Sequence, residues 1–170
     1  MTENEEYALE RIRQWVWAGF YPAADVQDML SEILLEEFDA DDDVHEQRLR
    51  AHVASEFDRK RRAEATWPAT TDCDRLDAAF HTLHAQGICA LHNAGYTQSD
   101  GRDDVTDFVD RAPAGRYHGF CFYHGQDVER AVDGHGLWIA FGDLRGEDDA
   151  GVAVGRAVAR TLRDAGFTVD

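Results

Sequence analysis

Halfway along the chain the spacing of apolar residues changes, and that change restricts the fold more than any single motif. Up to about residue 87 apolar side chains recur at steps of three and four. Beyond it, short glycine-bounded runs of β-branched and aromatic residues alternate with helical segments, as expected for helices packed on a sheet.

In the first half, Tyr7, Ile12, Trp15 and Val16 predict a helix that stops at Gly19, ahead of Tyr21 and Pro22. Val26, Met29, Leu30, Ile33, Leu34 and Phe38 predict a second helix over 23–37, broken by the acidic run 39–43. Asp43 and Glu46 have capping-box spacing and open a third helix carrying Val44, Leu49, Val53 and Phe57. Trp67 and Pro68 close this helical part, and Leu76, Ala79, Phe80 and Leu83 mark a fourth helix ending near Gly87. Trp15 and Trp17 cannot share one face of a helix, so one of them is expected to pack on the sheet or on another subunit.

In the second half, residues 88–92, 117–123 and 137–141 predict strands, with 167–169 as a fourth. Helical patterns at 103–111, 126–133 and 152–165 lie between and after them. The expected fold is α+β: N-terminal helices packed on a small mixed sheet of about four strands with helices on one face, ferredoxin-like or related. A doubly wound α/β sheet is the alternative, since the link between the second and third runs is about as short as a parallel crossover allows and leaves both arrangements open. The chain is expected to form a single domain, 1–170, with a helical part at 1–68 and an alternating part at 69–170.

Acidic residues outnumber basic ones 34 to 17, a formal charge of -17, which repels phosphate backbones and anionic membrane surfaces. Nucleic acid and membranes are therefore not expected partners; a basic protein is the partner that fits the sign, and solubility alone also accounts for it. No apolar stretch approaches the roughly 20 residues of a membrane span, and the N-terminus is acidic where a secretory signal is basic, so a cytoplasmic address is expected. Cys73, Cys89 and Cys121 are an odd number without CxxC spacing and predict reduced thiols, the latter two in the core.

The most unusual text follows the first two strands: NAGYTQSDG, from Asn93 to Gly101, and YHGQD, from Tyr123 to Asp127. If those strands are parallel neighbours, the two exits meet where open α/β sheets bind ligands. That juxtaposition would bring together Asn93, Tyr96, Thr97, Ser99, Asp100, His124, Gln126 and Asp127. If the strands are antiparallel, the cluster dissolves. The plainer reading is a turn at Gly95 with Ser99 and Asp100 capping a helix near Asp103, and Asp127 and Gln126 doing the same for the next.

His124 and Asp127, with His92 or Asp100, have the chemistry of an acid–base pair or metal ligands, but no HExxH signature supports a metal and none is expected. Neither GxxxxGK[ST] nor GxGxxG is present and no cofactor is implied. His81, His84 and His135 read as helix-surface or turn residues, and the run DADDD (39–43) as a solvated turn, because Val44 and Arg50 stand where a calcium loop needs glycine and glutamate.

ALHNAGYTQSDG from Ala90, GFCFYHGQDVERAV from Gly119 and GLWIAFG from Gly136 together resemble a family of uncharacterised bacterial proteins, a domain of unknown function. The similarity extends through WVWAGF (15–20) and implies no activity. Without a recognisable catalytic constellation, the sequence favours a non-catalytic binding or protein-interaction module. The alternative is a small-molecule or metal-dependent enzyme using the two exit loops.

Overall fold

The structure, a computed structural model, describes residues 2–38 and 43–170. The expected solvated turn at 39–43 falls almost wholly outside the described residues. The chain divides into two compact units, Met1–Trp67 with Val132–Gly134, and Pro68–Ala131 with His135–Asp170.

Three helices build the first unit: α1 (Glu3–Ala18), α2 (Ala23–Glu37) and α3 (Asp43–Glu64). The first begins with a capping box in which Thr2 and Glu5 exchange hydrogen bonds, and ends at Gly19 in the left-handed conformation a helix C-terminus favours. Ile12, Val16, Val26, Leu30, Leu49 and Val53 form its buried centre, from all three helices. Trp15 is buried in this core, and Trp17 packs against it while its indole N–H donates to Glu56 at 2.9 Å. Both tryptophans therefore serve the helical unit itself. Glu5 and Glu56 are buried carboxylates with partners, Arg48 at 2.8 Å for the first and Trp17 and Arg59 for the second, as burial of charge requires.

The second unit is α+β, with a sheet of β1 (Ile88–Leu91), β2 (Gly119–Phe122) and β3 (Ala140–Asp143) in that order. β1 and β2 run parallel, Ile88 opposite Gly119, while β2 and β3 are antiparallel, so the sheet is mixed as expected. Around it lie α4 (Asp72–Ala85), α5 (Gln98–Asp110), α6 (Gly125–Val132) and α7 (Asp148–Asp164). No described helix is long and apolar enough to cross a membrane.

Two expectations need correction. The sheet has three strands: residues 167–169 do not pair with it, because Phe167 N–H bonds to Leu162 O, Arg163 holds Val169 O, and Arg75 stacks over the Phe167 ring at 4.9 Å. That tail is held by α7 and α4. Helices also take both faces. Val105 and Val109 of α5 pack with Cys89, Phe120 and Phe122, whereas Val154 of α7 lies against Gly119 on the opposite face.

β3 also begins later than the run 137–141 predicts. Continued register would pair Trp138 with His124, but the His124 N–H donates to the Asp127 carboxylate, so the ladder ends at Ala140.

Helix and sheet approach equally closely at two glycines, Gly101 of α5 beside Phe122 of β2 and Gly155 of α7 beside Phe141 of β3. A methyl group on Gly101 would sit 2.3 Å from the ring of fully buried Phe122, whereas one on Gly155 would meet Phe141, which is half exposed and free to turn. Gly101→Ala is expected to destabilise by about 2 kcal/mol through overpacking. Gly155→Ala should fall within about 1 kcal/mol of wild type, the gain in helix propensity offsetting a displaced ring. Urea unfolding followed by circular dichroism of the two variants checks the difference.

Candidate functional site

Because β1 and β2 are parallel neighbours, the two exit loops do meet, and their backbones are stitched together. Ala94 N–H donates to Tyr123 O at 2.9 Å, Gly125 N–H to Gly95 O at 3.0 Å and Gln126 N–H to Tyr96 O at 3.2 Å. Asn93, at φ 46°, is the one described non-glycine residue in the left-handed region, which asparagine tolerates through its short polar side chain. Gly125 leaves room for Tyr96, whose ring would lie 2.7 Å from any Cβ there.

The loops run directly into helices, and the polar side chains serve those helix starts. α5 begins at Gln98 rather than near Asp103: Thr97 is its N-cap and forms a reciprocal capping box with Asp100, so Ser99 lies in the first turn instead of capping. The bond from Thr97 N–H holds the Asp100 carboxyl below the usual carboxylate range. At α6, one oxygen of Asp127 accepts the His124 backbone N–H at 3.1 Å and lies 3.2 Å from His124 Nε2. Asp127 is buried, His124 nearly so.

Gln126 is exposed, and its backbone N–H is its contact with the neighbouring loop. Tyr96 is 45% exposed and its hydroxyl donates to Glu129 at 3.2 Å. Asn93 Oδ1 and His124 Nδ1 are buried without a hydrogen-bond partner. All eight candidates therefore gather at one end of the sheet, mostly as caps and turn residues. Among the described residues no three His, Cys, Asp or Glu side chains are placed to hold a metal ion.

Two histidines do more than their sequence positions suggest. His84 is not a surface residue: its Nδ1 accepts the Tyr117 hydroxyl and its Nε2–H donates to Ala90 O, both at 2.9 Å. His92 stacks on Phe80 at 4.4 Å, accepts the Tyr123 hydroxyl at Nδ1, and turns Nε2 to within 3.4 Å of Asp77. Asp77, Phe80 and His84, at helical spacing on α4, were the available signal, although only the apolar member reads as core from sequence.

Burial holds His84 and His92 below the ordinary histidine range, with Asp77 opposing the effect at His92. Burial likewise raises the Tyr123 hydroxyl, and pushes the thiols of Cys89 and Cys121 up to about 11 and about 12, as for inert core cysteines.

The fold and these loops define an α+β domain built on a short mixed sheet with two interlocked strand exits. The chain belongs to a family described as a domain of unknown function, DUF6891, whose pattern matches residues 1–170. No curated protein and no solved structure matches it.

Protonating a histidine whose folded pKa is depressed favours the unfolded chain. The contribution of His84 and His92 is therefore fully present above their ordinary value of 6.5 and is lost as pH falls through their folded values. Unfolding free energy should decline between pH 7 and 5, and the slope should flatten in the His84→Gln/His92→Gln variant. Chemical denaturation across that range checks it. A second loss, as Asp74 and Asp100 protonate, begins below 3.8.

Proposed function

We propose that this chain is a non-catalytic protein-interaction module that receives a basic partner on the outer face of α5. The observation that carries the reading is the placement of charge on that helix. Asp100, Asp103, Asp104 and Asp107 recur at i, i+3, i+4 and i+7 and are all exposed, while Gly101 and Val105 are buried on the opposite side. Phe108, 41% exposed, adds an aromatic contact at the end of the ridge. Against a chain carrying -17 overall, this ridge steers a cationic surface and supplies an apolar anchor.

Catalysis at the exit loops has less support, since Thr97, Asp100 and Asp127 are engaged as caps and the open nitrogen of His124 is sealed from solvent. The unpartnered Asn93 Oδ1 and His124 Nδ1 are what favours a small-molecule or metal-dependent enzyme, and such use would require the stitched loops to part. A cytoplasmic setting accords with three cysteines that form no disulfide.

Affinity capture from source lysate with two variants of equal charge tests the proposal. Wild type and an Asp148→Asn/Asp149→Asn/Asp164→Asn control should retain the same basic protein, with retention falling as salt rises. Asp103→Asn/Asp104→Asn/Asp107→Asn should lose it by tenfold or more. Equal loss in both variants, or no salt-sensitive basic protein with wild type, overturns the reading.

A further inference from the structure

The surface opposite α5 carries a different kind of site. β3 is an edge strand, paired to β2 on one side only. In an antiparallel ladder hydrogen-bonded pairs alternate, and the bond from Leu144 N–H to His118 O fixes the phase: Gly142 and Ala140 bond inward to β2, so Phe141 turns its N–H and C=O to the open edge. Beside that edge runs a groove of about 440 Å³ between β3 and α7, lined by Phe141, Val152, Gly155, Arg156, Ala159 and Arg163. Phe141 and Val152 are each 50% exposed. Gly155 allows the Phe141 ring to lie against the helix, since a Cβ there would come within 2.3 Å of it.

We infer that this groove binds an extended peptide of a partner protein, which adds as a strand beside β3 and presents, on the one face turned to α7, two acidic residues with an apolar residue between them. An unpaired strand edge flanked by a helix supplies both elements of strand addition: main-chain groups for affinity and a lined trough for alternate side chains. Charge selects the peptide. On a chain with twice as many acids as bases, the rim of this groove is formed by two exposed arginines. Arg156 meets no carboxylate among the described residues, and Arg163 has one bond, to Val169 O. They stand two helical turns apart, about 10 Å along α7, and their long side chains reach two acids four residues apart on an extended strand, about 13 Å, which point to the same face. The strongly negative charge of the chain as a whole disfavours a polyanion, so the acids are few, and the apolar side chain between them on the same face covers Phe141, Val152 and Ala159. This site is independent of the α5 reading, because α5 and α7 lie on opposite faces of the sheet.

Selection of a displayed library of ten-residue random peptides on the full chain, followed by fluorescence anisotropy of the enriched peptides, tests the inference. Enriched peptides should carry two acids four residues apart with an apolar residue midway, shift the amide resonances of Phe141 and Gly142, and lose at least tenfold in affinity for Arg156→Glu, an exposed substitution whose fold is checked by melting. Methylating alternate backbone nitrogens of the peptide should abolish binding, as strand addition requires. No enrichment, unchanged affinity for Arg156→Glu, or tolerance of backbone methylation overturns it. So does a wild-type dimer in sedimentation that dissociates on Val152→Asp, which would assign the face to a second copy.

Discussion

Parallel strands cannot be joined by a tight turn, and the pairing of β1 with β2 dictates most of what surrounds it. It requires a crossover, which α5 provides. It also brings both strand exits to one end of the sheet, where each must leave the ladder and begin a helix within a few residues. Two backbones turning side by side have unpaired N–H groups to satisfy. Here the groups are shared between the loops, and the helix starts are closed by Thr97 with Asp100 and by Asp127. The polar vocabulary of this region follows from that constraint.

The same economy of polar groups fixes α4 to the sheet. His84 and His92 bridge from the helix layer to β1 and to Tyr117 and Tyr123, and the low dielectric that strengthens these bonds also disfavours the charged imidazoles. In the helical unit the buried carboxylates of Glu5 and Glu56 are held in a comparable way, each against a named donor. Partnered polar groups thus hold most of the interior, while exposed charges such as the acids of α5 and Arg156 and Arg163 of α7 face outward.

Periodicity made the helices readable: α2 runs over the residues its apolar spacing marks, and Gly19 ends α1 as its conformational freedom suggests. The strands were readable as apolar runs, but pairing was not. Residues 167–169 have strand composition and yet follow α7 as a tail, because the bonds available to them come from Leu162, Arg163 and Arg75 rather than from a strand edge. The gathering of Asn93, Tyr96, Thr97, Asp100, His124, Gln126 and Asp127 was legible only on condition that β1 and β2 be parallel, a fact of tertiary pairing. His84 was missed because a histidine at helical spacing reads as surface until its partners, Tyr117 and Ala90, are brought to it by the sheet.

That the exit loops form a locked joint, leaving recognition to the outer faces of α5 and α7, is the claim on which the functional account turns. Native-state hydrogen exchange at the amides of Ala94, Gly125 and Gln126 tests it most directly, since each donates across the joint. The account predicts exchange as slow as that of Phe120 and Cys121 in the central strand. Exchange near the rate of an unprotected peptide would show loops that open readily, and would return Asn93 and His124 to the role of ligand-binding residues.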